Sequence, residues 1–159
     1  MKNLSYRFFV MMGLLLTVPA CGWMSGSRKQ SMIVVNVLDK EMYDDCHISG
    51  SIQVPFADFE KEAKKWDKTS KVVVYCSGYL CTASGHAART LKKMGFDQVW
   101  AYEEGMAGWK QAGLPTEGPC ALAYLDLPNE KISETSHTDV AVISSQELFN
   151  LMKSEGLLQ

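Results

Sequence analysis

Residues Val72-Val73-Val74-Tyr75-Cys76 form an apolar, β-branched run with no charged position, so neither face of a strand built from them can be turned to water. Such a strand belongs in the middle of a parallel sheet covered on both sides. It leads into Ser77-Gly78-Tyr79-Leu80-Cys81-Thr82-Ala83-Ser84, a loop of mostly small residues, and then into an Ala/Leu-rich stretch, Ala87 to Met94, that predicts a helix. Backbone N–H groups of such a loop and the helix N-terminus carry partial positive charge, which favours thiolate over thiol at the strand's end and cradles an anion there. A nucleophilic Cys76 is the first expectation.

Strand and helix patterns alternate around this unit. Met32 to Leu38 reads as a buried strand, Asp39 to Asp45 as a polar helix, Ser51 to Pro55 as a short strand and Phe56 to Trp66 as a helix with Phe59, Ala63 and Trp66 on one face. Lys71 to Tyr75 is the central strand, and Ser84 to Met94 the helix behind it, stopped by Gly95. Asp97 to Tyr102 follows as a strand and Met106 to Ala112 as a short helix closed by Gly113 and Pro115. The expectation is an α/β domain with a mainly parallel sheet flanked by helices on both faces, its functional loops at the strands' C-terminal ends. From Thr116 the pattern dissolves, and residues 117–139 read as a linker. Val140 to Ile143 then predicts a strand, Ser144 or Ser145 an N-cap, and Leu148, Leu151 and Met152 the stripe of a last helix ending at Gly156.

The N-terminal end has its own character. Lys2 and Arg7 precede an apolar stretch, Phe8 to Val18, too short to span about 30 Å of hydrocarbon, so residues 1–20 read as a signal peptide. Val18-Pro19-Ala20-Cys21 resembles a bacterial lipobox, which implies lipidation at Cys21, a flexible tether over 21–31 and a periplasmic, outer-membrane lipoprotein. Export puts Cys46, Cys76, Cys81 and Cys120 where disulfides persist, each of them paired, buried or reactive. A net charge of −2 with scattered Lys and Arg offers no field for a nucleic-acid backbone.

The order of motifs from Met32 to Thr116 resembles the rhodanese-like domain family. The likeness runs through Val34-Val35-Asn36-Val37, Tyr43, Cys46-His47-Ile48-Ser49-Gly50-Ser51-Ile52, Cys76, Ala87-Ala88, Leu91, Gly95-Phe96, Val99, Glu104-Gly105-Met106-Ala107-Gly108-Trp109 and Gly113-Leu114-Pro115. The resemblance implies a sulfurtransferase or persulfide carrier: Cys76 attacks a sulfane sulfur, holds it as a persulfide and passes it to a thiol or cyanide. It implies no cofactor and no metal. Its partners are a small sulfur compound or a thiol-bearing protein, and the anion-binding loop comprises Ser77, Gly78, Tyr79, Leu80, Thr82, Ala83 and Ser84, with His86 behind it. His47 corresponds to the family's signature histidine, a residue that orders the turn.

Departures from the pattern matter. The family's loop is two residues shorter and often carries Arg, whereas no Arg or Lys lies between Cys76 and His86. A dianionic donor such as thiosulfate gains little side-chain stabilisation there. Cys81, five residues after Cys76, has three open readings: a second catalytic thiol that resolves a persulfide or sulfenate, a disulfide partner that silences Cys76, or a small buried loop residue. A thiol-disulfide redox protein using Cys76 and Cys81, or a non-catalytic binding module, are the alternative functions. Family members also open with an Ile-Ser-x-x-Glu-Leu strand and helix that has no counterpart before Met32. Val142-Ile143-Ser144-Ser145-Gln146-Glu147-Leu148 looks like that opening at the far end, so residues 140–159 are expected to dock on the domain in a circularly permuted order.

Overall fold

A computed structural model describes residues 32–131 and 139–158. The signal peptide of residues 1–20, the lipidation site Cys21, the tether of 21–31 and positions 132–138 of the linker lie outside the described residues. The chain runs β1 (Met32–Asn36), α1 (Lys40–Asp45), β2 (His47–Ile48), β3 (Ile52–Gln53), α2 (Phe59–Ala63), β4 (Lys71–Tyr75), α3 (Ala83–Lys93), β5 (Gln98–Tyr102), α4 (Gly105–Gln111), β6 (Thr116–Glu117), β7 (Ala141–Val142) and α5 (Ser145–Ser154). Short 3-10 turns occupy Phe56–Asp58 and Ala123–Asp126.

Five strands form one parallel sheet in the order β3-β1-β4-β5-β7. β4 is central, as its unbroken valines require: Val72, Val73, Val74 and Tyr75 are all fully buried. Alternation sends Val72 and Val74 to one face, against Phe59, Ala63, Ala87, Ala88, Leu91 and Phe96 of the α2 and α3 side. Val73 and Tyr75 go to the other, against Met106, Trp109, Leu125, Leu148 and Met152. Each large apolar side chain so buried contributes about 1.5–3 kcal/mol relative to exposure. Asn36, Tyr75 and Tyr102 lie side by side in register at the C-terminal ends of β1, β4 and β5, so the loops leaving those strands converge.

β7 pairs in parallel with β5 through Trp100 and Ala141, and Ala101 and Val142, with the Ile143 N–H donating to the Ala101 carbonyl at 3.1 Å. α5 follows at once. Its N-cap is Ser144, whose hydroxyl accepts from the Glu147 amide while the Glu147 carboxylate accepts from the Ser144 amide, a reciprocal capping box. Its buried Leu148 and Met152 complete the cover over Tyr102 and Trp109, and Lys71 at the start of β4 pairs with Glu155 at its end at 2.6 Å.

Residues 117–131 differ from the linker expected there. β6 pairs antiparallel with β2, and Cys120 forms a disulfide with Cys46, 74 positions earlier. The Asp45 carboxylate accepts from the amides of Ala121 and Leu122 at 3.0 and 3.1 Å, and its carbonyl accepts from the Cys120 amide at 2.7 Å. Leu125 is then fully buried against α4. The segment is a strap held by isolated anchors, one sulfur, one leucine and one acidic cap, and so carries no periodic pattern for a sequence reading to detect.

Candidate active site

Cys76 directly follows β4, and the next six residues curl over the C-terminal edge of the sheet into α3. Two amides of α4 brace the loop from behind: Met106 N–H donates to the Cys76 carbonyl at 2.8 Å and Ala107 N–H to the Ser77 carbonyl at 2.9 Å. Gly105 makes this approach possible. Its φ is +59°, and a Cβ placed on it would lie 2.5 Å from the Gly78 nitrogen and 2.6 Å from the Cys76 carbonyl oxygen. From the strap, Asn129 accepts from the Tyr79 amide at 3.1 Å and donates to the Glu104 carbonyl at 2.8 Å, fixing the loop's middle.

Both loop cysteines are free thiols, and they differ in environment. Cys76 has no exposed surface. Its S–H points along the loop, with the Cys81 carbonyl oxygen at 3.0 Å and the Ser84 hydroxyl at 3.4 Å. Cys81 is half-buried. Hydrogen bonding from Cys76 first, then from Ala83 and Ser77, holds the Cys81 thiol well below its ordinary range, at about 5. Donating that bond to Cys81, together with burial, pushes the Cys76 thiol far up. The two thiols thus share one hydrogen-bonded loop, in which Cys76 lies against the Cys81 carbonyl and the Ser84 hydroxyl at the start of α3. A strand-end position and a helix N-terminus locate the loop in the sequence. Which sulfur its amides face depends on how the two additional residues fold, and no residue pattern encodes that.

The other loop residues have definite places. Ser77 is partly exposed with its carbonyl held by the Ala107 amide, Ser84 is buried beside Cys76, and Ala83 opens α3. Tyr79 is half-buried, its phenol pushed up by burial and by the nearby carboxylates of Glu104 and Glu103. Leu80 is 77% exposed at the loop tip, and Thr82 is the exposed N-cap position of α3 without a side-chain cap bond. His86 is exposed and its Nδ1 pairs with the Arg89 guanidinium at 2.9 Å. His47 stacks on Tyr43 with ring centres 3.9 Å apart, binds its carbonyl at 2.8 Å and faces Glu117 of β6, an ordering place far along the chain from the loop. Among the described residues no group of three or more His, Cys, Asp or Glu could hold a metal ion.

Three features of the site have no sequence signal of their own. Glu104 accepts from the hydroxyl and the amide of Ser145, and the Ser145 hydroxyl also bonds the Tyr102 phenol at 2.7 Å. Asn129 bridges strap and loop. A cleft of about 100 Å³ lies between them, lined by Ser77, Gly78, Leu80, Tyr124, Leu127 and Pro128 among others and carrying no charged group.

A family model described as Rhodanese-like domain matches residues 24–112 of the chain. The thiosulfate sulfurtransferase GlpE of Coxiella burnetii is 29% identical over 83 residues, covering 52% of this chain and 76% of that protein. YrkF of Bacillus subtilis, which carries the name of a sulfur carrier protein, is 33% identical over 81 residues, covering 50% of this chain and 42% of its own length. Among solved structures, the BH2092 protein of Bacillus halodurans superposes with a TM-score of 0.52 at 30% identity, over 57% of this chain and 66% of that one.

Proposed function

This chain belongs to the rhodanese-like domain family, and on that premise we propose that its loop takes sulfane sulfur from a donor and holds it as a persulfide, as a sulfurtransferase or persulfide carrier. The relatives named as a sulfurtransferase and a sulfur carrier support that chemistry at the level of the family. The observation that carries the reading for this chain is a pair of free thiols, Cys76 and Cys81, in one loop at the C-terminal edge of the sheet, braced by the Met106 and Ala107 amides. A loop thiolate attacks the sulfane sulfur, a new S–S bond forms, the donor's bond to that sulfur breaks, and the leaving group departs with the electron pair. The loop then holds the persulfide anion until a thiol or cyanide removes the sulfur.

Charge restricts the donor. The loop carries no Arg or Lys, and Glu103 and Glu104 stand near Tyr79, so singly charged or neutral donors are favoured over the thiosulfate dianion. Leu80 at the rim suits a thiol borne on a protein surface. Incubation with the singly charged methanethiosulfonate anion, followed by mass spectrometry of the intact chain and its peptides, tests the reading. One added sulfur in wild type supports it, and its loss in Cys76→Ser or in Cys81→Ser names the thiol that takes it up; unmodified thiols in wild type leave a binding module.

The reading extends to place and topology. Export as a periplasmic, outer-membrane lipoprotein anchored at Cys21 is supported by the Cys46–Cys120 disulfide, a bond that persists in oxidising compartments. Metabolic labelling with a radioactive fatty acid, lost in Cys21→Ala, tests it. A circularly permuted family fold is supported by β7 and α5, which occupy the sheet edge beside β5 with the strand-serine-helix pattern that opens other members.

A further inference from the structure

One wall of the cleft beside the cysteine loop is built from a part of the chain that the family match does not cover. That match ends at residue 112, whereas Tyr124, Leu127, Pro128 and Asn129 belong to the strap. Ser77, Gly78 and Leu80 of the loop and Ala107 of α4 form the opposite wall, so an occupant lies against the residues that directly follow Cys76. No lining residue carries a charge.

Size and chemistry restrict the occupant. The cleft's volume of about 100 Å³ is less than the roughly 150 Å³ that houses a benzene ring, which leaves room for a short alkyl group. Leu80, Ala107, Leu127 and Pro128 offer it apolar contact. Two polar side chains of the strap stand in the same wall. Asn129 is already engaged, its Oδ1 accepting from the Tyr79 amide and its Nδ2 donating to the Glu104 carbonyl. Tyr124 is not, since its hydroxyl is buried without a partner. A phenylalanine would cover the same surface and leave no polar atom unpaired, so the hydroxyl points to an acceptor that the protein does not supply. Burial first, then Asp45, Tyr75 and Cys76, pushes this phenol up to about 12, which keeps its proton available for donation.

We propose that the cleft seats the organosulfonyl end of a short-chain alkanethiosulfonate, R–SO₂–S⁻, with the alkyl group against Leu127 and Pro128 and the Tyr124 hydroxyl donating to a sulfonyl oxygen. This rests on the reading that the loop takes up sulfane sulfur. A loop thiolate attacks the terminal sulfur, the new S–S bond forms as the S–SO₂ bond breaks, and the alkanesulfinate R–SO₂⁻ leaves with the electron pair. The persulfide anion and the sulfinate carry the two negative charges that the thiolate and the donor brought. Thiosulfate has no alkyl group to bury and sets a second negative charge against uncharged walls. A dialkyl polysulfide has no oxygen for Tyr124.

The test compares thiosulfate, methanethiosulfonate and ethanethiosulfonate as donors to the full chain, with cyanide as acceptor and thiocyanate as the readout. From the methyl to the ethyl donor we expect kcat/KM to rise up to about fourfold, the worth of one buried methylene, with thiosulfate the slowest of the three. Leu127→Ser, at a position 58% exposed, should bring the ethyl-to-methyl ratio to about one. Tyr124→Phe should raise KM for both thiosulfonates about fivefold, the worth of one hydrogen bond. Equal kcat/KM for the methyl and ethyl donors, a preference for thiosulfate, an unchanged ratio in Leu127→Ser or an unchanged KM in Tyr124→Phe overturns the proposal. A dependence on the alkyl chain of a thiol acceptor in place of that of the donor also overturns it, because the cleft then holds the acceptor. If wild type with a native melting curve forms no thiocyanate from any donor, the uptake reading itself has failed, and the proposal falls with it. Should Leu127→Ser not fold, the wild-type ratio and Tyr124→Phe decide.

Discussion

The hydroxyl of Ser145, in the first turn of α5, donates to the carboxylate of Glu104, the residue that precedes the loop-bracing Gly105. Through that contact the strand-helix piece that fills the sheet edge is tied to the two amides that hold the cysteine loop. Ser145→Ala leaves the Glu104 carboxylate and the Tyr102 phenol without their shared partner, at a cost of about 1–3 kcal/mol. Urea unfolding measures the loss, and faster alkylation of Cys81 in the native state would report the loosened loop.

Cys81 gives the loop a distinctive pH response. With its thiol held down to about 5, native wild type should react with a neutral alkylating reagent at a nearly constant rate from pH 9 to pH 6 and lose reactivity as pH falls through about 5. Stability follows the same sign. The unfolded chain keeps its proton on Cys81 up to the ordinary thiol range and the native chain does not, so this group's stabilisation is present above about pH 9 and lost as pH falls to about 5. Cys76 acts oppositely: its raised thiol makes the native state bind the extra proton above the ordinary range, so stability declines there. Cys81→Ser should flatten the rise between pH 5 and 9, and a wild-type curve already flat there would refute the assignment of the thiolate.

Gly105→Ala should be more damaging than a surface glycine substitution. The added methyl meets backbone atoms of the loop, which cannot rotate aside, and φ of +59° disfavours any L side chain. Loss of sulfur uptake with retained secondary structure, read by circular dichroism, is the expected outcome. Gly113→Ala, at φ +68° but with nothing within 4 Å, serves as the comparison that carries backbone strain alone.

Replacing Cys46 and Cys120 together with alanine should lower stability by about 2–4 kcal/mol, since the bond closes a long loop. Hydrogen exchange should rise in the strap, at Ala121, Leu122 and Leu125 first. A urea midpoint equal to that of wild type would mean that the Asp45 cap and Leu125 hold the strap unaided.

Removing residues 139–159 strips Ile143, Leu148 and Met152 from the core and bares the β5 edge. Aggregation or loss of a cooperative melt is expected. A truncated chain that melts like the full one would exclude docking of this segment on the domain.

Much of the fold was legible because it is written in periodic or contiguous signals. The valines of β4 specify a central strand, Gly95 and Gly113 stop helices, and Ser144 with Glu147 spells a capping box within one turn. The site was legible as a loop and as a pair of cysteines. It was not legible as a distribution of charge, because the thiols take their environment from one another and from loop amides and hydroxyls, and only folding decides where those point. The strap escaped detection for a related reason. Cys120 pairs with a residue 74 positions away, and Asn129 reaches back 50 positions to Tyr79, distances at which sequence proximity says nothing.

The disulfide of the strap has a further bearing on the loop. Fully buried Cys46 and its partner Cys120 are already spent on each other, so among the described cysteines Cys81 has a single internal correspondent. Were those two left reduced, sulfur loaded at the rim could migrate across the molecule and scramble its cross-links. Locking them together leaves Cys76 and Cys81 as the only free thiols among the described residues, both in one loop.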